Sequence, residues 1–205
     1  MSNLPEKIKW YEIYDIWKNH LWPLRVSEIE PVTSMLYLGG YDILVKENTP
    51  VFLGIRDGGG HIIAVNSIVK VDKRECRSRG LWVYPQCRGN GLAKIILEAS
   101  IEEAKKTGCE ILWTMPREGA LEAYESVGFV QTTDWIENEN EVYGPNCYAV
   151  KALKDIDYYN TKSKKISELR QQFFEDHISE MRKTRESLKN QRDKMEELAR
   201  MEDSL

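Results

Sequence analysis

The run Val83-Tyr-Pro-Gln-Cys-Arg-Gly-Asn-Gly-Leu-Ala93 gathers the residue types that hold a polyphosphate. A β-rich stretch ends at Val83, Pro85 turns the chain, Arg88-Gly-Asn-Gly91 follows, and a helical pattern begins at Leu92-Ala93. Glycines at 89 and 91 let backbone N–H groups point into one concavity, and the positive end of the following helix faces the same place. Arg88 and Lys94 add charge, so the segment reads as an anion cradle for a pyrophosphate. Two familiar phosphate sites do not fit. No third glycine completes the dinucleotide fingerprint, and no Gly-Lys-Ser/Thr completes a P-loop. Cys87 lies inside the cradle at a helix entrance, where a thiol pKa can fall, which makes it a candidate reactive cysteine.

The elements around the cradle follow from hydrophobic period. Trp10, Ile13, Tyr14, Ile16, Trp17 and Leu21 recur at helical spacing before Pro23. Residues 27–42, interrupted by Pro31 and closed by Gly39-Gly40, read as a short helix or loop. Val51–Ile55 and Ile62–Val69 are β-rich runs joined by Asp57-Gly-Gly-Gly60, a hairpin signature. A third strand, Arg77–Tyr84, is expected antiparallel beside the second. From Gly91, Leu92, Ile95, Ile96, Ala99 and Glu103 mark a helix closed by Gly108. A strand at Ile111–Met115, a short helix at Glu118–Val127 closed by Gly128, and strands at Phe129-Val130 and Cys147–Leu153 complete a mixed α and β order.

Beyond Asp157, Lys, Arg, Glu and Gln dominate and Gly and Pro vanish, which predicts one long helix. Phe174, Met181, Leu188 and Met195 sit seven apart, but the alternate seam positions His177, Thr184 and Gln191 are polar. A coiled coil that makes a homo-oligomer, a helix docked on its own domain or on a protein partner, and a solvated helix all account for these residues.

The 205 residues suit one core plus an appendage, and 41% hydrophobic residues with 6 Trp and 10 Tyr argue for a folded chain. A net charge of −4 exerts no pull on nucleic acid or anionic lipid, so neither partner is expected. Cys76, Cys87, Cys109 and Cys147 form no Cys-x-x-Cys pair, and His20, His61 and His177 lie far from them, so no metal site is expected. No apolar window approaches a membrane span, and a cytoplasmic location with reduced thiols is expected.

The pattern Val-x-Pro-x-x-Arg-Gly-x-Gly-Leu-Ala, at Val83–Ala93, resembles the acetyl-CoA motif of the GCN5-related N-acetyltransferase (GNAT) family. Ala120-x-x-x-Tyr124-x-x-x-Gly128-Phe129 resembles that family's later motif. The resemblance spans residues 1–155 and implies an α/β fold of the α+β type. That is a mixed, mostly antiparallel central sheet flanked by helices, with the charged helical segment 156–205 outside it. It implies acetyl-CoA as co-substrate, a primary amine as acceptor, and direct transfer in a ternary complex, which needs no enzyme nucleophile at Cys87. Leu81, Trp82 and Val83 would lie along the pantetheine arm. Arg88, Gly89, Asn90, Gly91, Leu92 and Ala93 would hold the pyrophosphate, and Tyr124 would protonate the departing thiolate. On composition alone Tyr124 reads as a core tyrosine of an amphipathic helix.

Two departures from the family pattern stand out. Arg117 replaces an asparagine seven residues before the tyrosine, which would make that cofactor contact a charged one. The strand before the cradle carries Arg77 and Arg79 where a carboxylate base is expected, which leaves Glu75 as the nearest acid and water-mediated deprotonation as the alternative. The N-terminal helices and residues 134–145 would wall the acceptor pocket. There Trp22, Tyr37, Asp42, Trp135 and Glu137 are candidates for holding a cationic amine, with packing or surface roles as the alternative. A second reading of the whole chain is a non-catalytic acyl-CoA-binding or assembly module that interacts through its helical tail.

Overall fold

The structure, a computed structural model, describes residues 4–136 and 144–154. The expected long helix of residues 156–205, and with it the coiled coil, lies outside the described residues, as does Glu137. Among the described residues no helix is long and apolar enough to cross a membrane.

Seven strands form one sheet in the order β1-β2-β3-β4-β5-β7-β6. Their ranges are β1 Glu6–Ile8, β2 Val51–Arg56, β3 Ile62–Lys70, β4 Glu75–Val83, β5 Ile111–Thr114, β6 Val130–Gln131 and β7 Ala149–Ala152. Every neighbouring pair is antiparallel except β4 with β5. The mixed, mostly antiparallel sheet expected from the sequence is therefore present.

Consecutive residues of β2 show how the two faces are covered. Phe52 packs with Ile13 and Trp17 of the N-terminal helical segment, whereas Leu53 packs with Leu92 and Ile96 of the helix after the cradle. That segment comprises α1, Trp10–Ile16, continued by a π turn at Trp17–Leu21. The opposite face takes α2, Leu92–Lys106, which buries Leu92, Ile96, Leu97, Ser100, Ile101 and Ala104. These lie three to four residues apart, the period that puts one helical stripe on a sheet. A short helix α3, Glu118–Glu125, packs Tyr124 beside it, and Val127 just past its end joins the same cluster.

Two elements depart from the expected order. The three-residue strand β1 pairs with β2, where Ile8 comes so close that a Cβ on Gly54 would lie 2.9 Å from Ile8 Cγ2. The irregular stretch before β2 ends in a 3₁₀ turn, Ile43–Glu47, where Asp42 accepts from the Leu44 amide at 2.9 Å. Val32, Tyr37, Leu38 and Val45 from this excursion cover Val69, Trp113 and Tyr148 on the α1 side of the sheet.

Candidate active site

The site is built where β4 and β5 part. They pair over three residues only, Glu75–Arg77 against Ile111–Trp113, after which β5 ends at Thr114 while β4 continues to Val83 bonded to β3 alone. Within that free stretch the β3–β4 register jumps opposite Asn66, and Gly80 has φ +76°. This is a bulge, and it resets the alternation of side chains. Leu81 and Val83 pack toward α2, and Trp82 packs toward α1.

The Trp17 indole seals the bulge. Its Nε1 donates to the Gly80 carbonyl at 3.0 Å, and a Cβ on Gly80 would meet Trp17 Cε2 at 2.2 Å. Beyond the bulge the Tyr84 amide donates to Ile63 on β3. Main-chain polar groups alternate between the two edges of a strand, so those of Leu81 and Val83 face the open edge. The Val83 carbonyl accepts from Arg88 Nε there, at 3.2 Å.

At the end of that edge stands the cradle. Pro85–Cys87 form a 3₁₀ turn, Gly89 and Gly91 hold φ at +77° and +74°, and α2 starts at Leu92. Nothing lies within 4 Å of a Cβ built on either glycine, so the turn opens to solvent. The amides of Leu92, Ala93 and Lys94 have no acceptor within the helix, and no acidic residue occupies the first turn. This donor set and this space fit a diphosphate. The Asn90 side-chain nitrogen is turned back onto the Cys87 and Arg88 carbonyls, at 3.2 and 3.3 Å. Leu92 is buried as the anchor of α2.

At the other end, in the crotch of the fork, lies Tyr124. Its phenol faces Ser78 and Thr114, the first residues after the last β4–β5 pair, and is 2% exposed. Burial raises its pKa, and the Ser78 and Thr114 side chains and Arg77 offset part of that rise. A proton is therefore held at Oη through neutral pH. Ser78 also accepts from Asn66 Nδ2 at 2.9 Å, the same nitrogen reaches Ser100 Oγ at 2.9 Å, and Ser100 donates to the Ile96 carbonyl at 2.8 Å. A buried polar chain thus ties the fork to α2.

Glu75 is not brought to the open edge. It begins β4, buried and paired with Ile111 on the closed side of the fork. The run from Glu75 to Gly80 covers about 16 Å of extended strand. Arg117 caps α3, and its Nη2 donates to the Leu21 carbonyl at 2.7 Å, joining α3 to the end of the π turn.

The residues proposed to grip a cation are mostly occupied. Tyr37 is buried against Trp113 and Tyr148 with its hydroxyl on Thr132, and Asp42 caps the 3₁₀ turn. Trp22 is covered by the Arg79 guanidinium, and Trp135 is partly exposed. The sequence reading missed the Gly80 bulge, the Asn66–Ser78–Ser100 chain and the burial of Arg77 and Arg79. A lone glycine inside a strand pattern was the available signal for the first.

A family model described as the acetyltransferase (GNAT) family matches residues 10–129. No curated protein sequence matches the chain. Among solved structures, an aminoglycoside 6'-N-acetyltransferase complexed with coenzyme A superposes with a TM-score of 0.54 at 11% identity, over 75% of this chain and 98% of that one. The spermidine N-acetyltransferase of Vibrio cholerae, in complex with CoA and spermine, gives 0.53 at 13% identity over 73% and 94%. A GNAT-family acetyltransferase from Staphylococcus aureus gives 0.51 at 13% identity over 73% and 99%. At such identities the likeness is one of fold.

Proposed function

Because the chain belongs to the GNAT acetyltransferase family, we propose that it moves an acetyl group from acetyl-CoA directly to a primary amine at the fork between β4 and β5. One observation carries this reading. The open edge of β4 runs from the two-glycine turn, where a Cβ on Gly89 or Gly91 would meet no neighbour, to the buried Tyr124 phenol, whose pKa burial raises.

Acetyl-CoA supplies the thioester: the amine nitrogen bonds to its acyl carbon, the C–S bond breaks with its electron pair on sulfur, and amide and thiol result. The protein's part is placement and proton supply. Backbone amides from Gly89 to Lys94 and the side chain of Arg88 hold the diphosphate, with Leu92 and Ala93 fixing the first turn of α2. Main-chain groups of Leu81 and Val83 take the pantetheine arm as an extra strand, and a β4 amide polarises the acyl oxygen. Trp82 backs this strand from the α1 side. Tyr124 gives its Oη proton to the thiolate and recovers one from solvent. The amine loses its proton to water, since Glu75 stands on the closed side.

The test is acetyl-CoA binding by calorimetry together with CoA thiol release on a panel of amines. Saturable binding and turnover are expected. No binding defeats the cradle assignment, whereas binding without turnover on any amine supports the non-catalytic module.

A further inference from the structure

The face of β4 turned toward α1 carries two buried cations, with no carboxylate within ion-pair distance of either among the described residues. Arg77 and Arg79 stand two residues apart, 8% and 7% exposed. Arg77 lies 4.8 Å over the Trp113 ring and donates to the Thr33 hydroxyl, and its Nε has no acceptor. Arg79 is clasped between the rings of Trp17 and Trp22, 4.7 Å from each, and donates to the Glu30 carbonyl at 2.7 Å. Among the described residues neither guanidinium forms an ion pair, and the Glu30 carboxylate is engaged by Lys46 at 2.7 Å.

Aromatic faces compensate a buried cation only in part. A guanidinium held out of water without a counterion remains costly, and two side by side repel. The local field shows it: burial brings Arg77 down to about 10, and burial together with Arg77 and Arg25 pushes Arg79 well below its usual value. Their place in the fold explains why such a cost is kept. Arg77 is the last β4 residue paired with β5, and Arg79 directly precedes the Gly80 bulge, so both flank the fork. The α2 and α3 helices fill the other face, so an acceptor meeting the open edge from the arginine side would enter between α1 and the excursion before β2, which cover that side.

We infer that the acceptor is an amine that also bears an oxyanion, a carboxylate or a phosphate, which completes an ion pair with Arg77 and Arg79. The planar fork of each arginine suits either group. A polycation would meet like charge at this face. The amine half of this assignment rests on the acetyl-transfer reading above, while the anion site stands on the arginines alone.

Two measurements separate these parts. In the first, the full chain with acetyl-CoA is given matched acceptors: amino acids and their amides, O-phosphoethanolamine and ethanolamine, and spermidine. The anionic member of the preferred pair should exceed its neutral partner in kcat/KM by about 10- to 100-fold, and the pair that responds tells carboxylate from phosphate. In Arg79→Lys and Arg77→Lys, which keep the charge but lose the fork, that ratio should fall toward one through KM. A purely structural role would lower both members alike and leave the ratio intact.

The second measurement needs no turnover. N-acetyl amino acids and N-acetylated phosphoethanolamine, with CoA present, are titrated by calorimetry and by tryptophan fluorescence, since Trp17 and Trp22 flank Arg79. Saturable binding of one anion, absent for its neutral analogue and weakened in Arg79→Lys, supports the site even if every acceptor fails. Equal use of neutral or polycationic amines, or binding of neither anion, overturns it.

Discussion

Replacing Gly80 by alanine tests whether the β4 bulge is sealed as described. The residue has φ +76°, and its added Cβ would lie 2.2 to 2.4 Å from three atoms of the Trp17 indole. A left-handed conformation costs an L-residue about 1–2 kcal/mol, and forcing an indole out of a packed core costs about 1–3 kcal/mol more. Losing the Trp17 Nε1 hydrogen bond to the Gly80 carbonyl adds about 1 kcal/mol. The sum, roughly 3–6 kcal/mol, lowers Tm by about 6–24 °C for a chain of this size. Gly60→Ala is the control, because Gly60 has φ +86° but open space around its Cβ. It carries the backbone term alone, a fall of about 2–8 °C. Thermal unfolding followed by circular dichroism reads both. Because the bulge also turns the Leu81 and Val83 main chain to the open edge, Gly80→Ala should lose acetyl-CoA binding while Gly60→Ala keeps it. Equal Tm losses in the two variants, with binding retained in both, would refute the packing argument.

Gly91→Val places a branched side chain at φ +74° in the cradle, and calorimetry should show acetyl-CoA affinity falling at least about tenfold; unchanged affinity removes the cradle. Tyr124→Phe should lower kcat about 10²- to 10⁴-fold with little change in acetyl-CoA affinity, and unaltered turnover ends its role as acid. Asn66→Ala leaves the Ser78 and Ser100 hydroxyls short of a buried partner, at a cost of about 1–3 kcal/mol in urea denaturation. Burial raises the pKa of Tyr124, and that of Tyr148 to about 12. Folded phenols therefore keep protons that the unfolded chain releases near pH 10, so this stabilisation is complete below about pH 10 and is lost as pH rises through about 12. Urea midpoints measured along that range should fall, and a flat profile contradicts the assignment.

What the sequence disclosed was whatever local geometry dictates. The cradle was legible because Gly89 and Gly91 must adopt a backbone that other residues resist, and α2 because Leu92, Ile95, Ile96 and Ala99 carry one period. Strand β1 was not, since three residues with one buried apolar side chain make no pattern. In sequence Arg77 and Arg79 stand where a carboxylate base is expected, but their burial depends on Trp17, Trp22 and Trp113, which tertiary packing alone brings to them. Glu75 was singled out by proximity along the chain, whereas strand extension carries it to the closed side of the fork. Tyr124 could be placed on its helix by period, yet its neighbours Ser78 and Thr114 come from two strands far apart in sequence.

The three-residue seam between β4 and β5 has a mechanical consequence. Strands β1 to β4 and strands β5 to β7 are stitched along the sheet by very little main chain. On the proposed reading, a guest laid along Leu81 and Val83 would add the missing stitches, so the co-substrate would become a temporary part of the scaffold that handles it. Loading should then stiffen the molecule as well as stabilise it by mass action, with amide hydrogen exchange slowing most at residues 78–83 and relaxing again on each product departure.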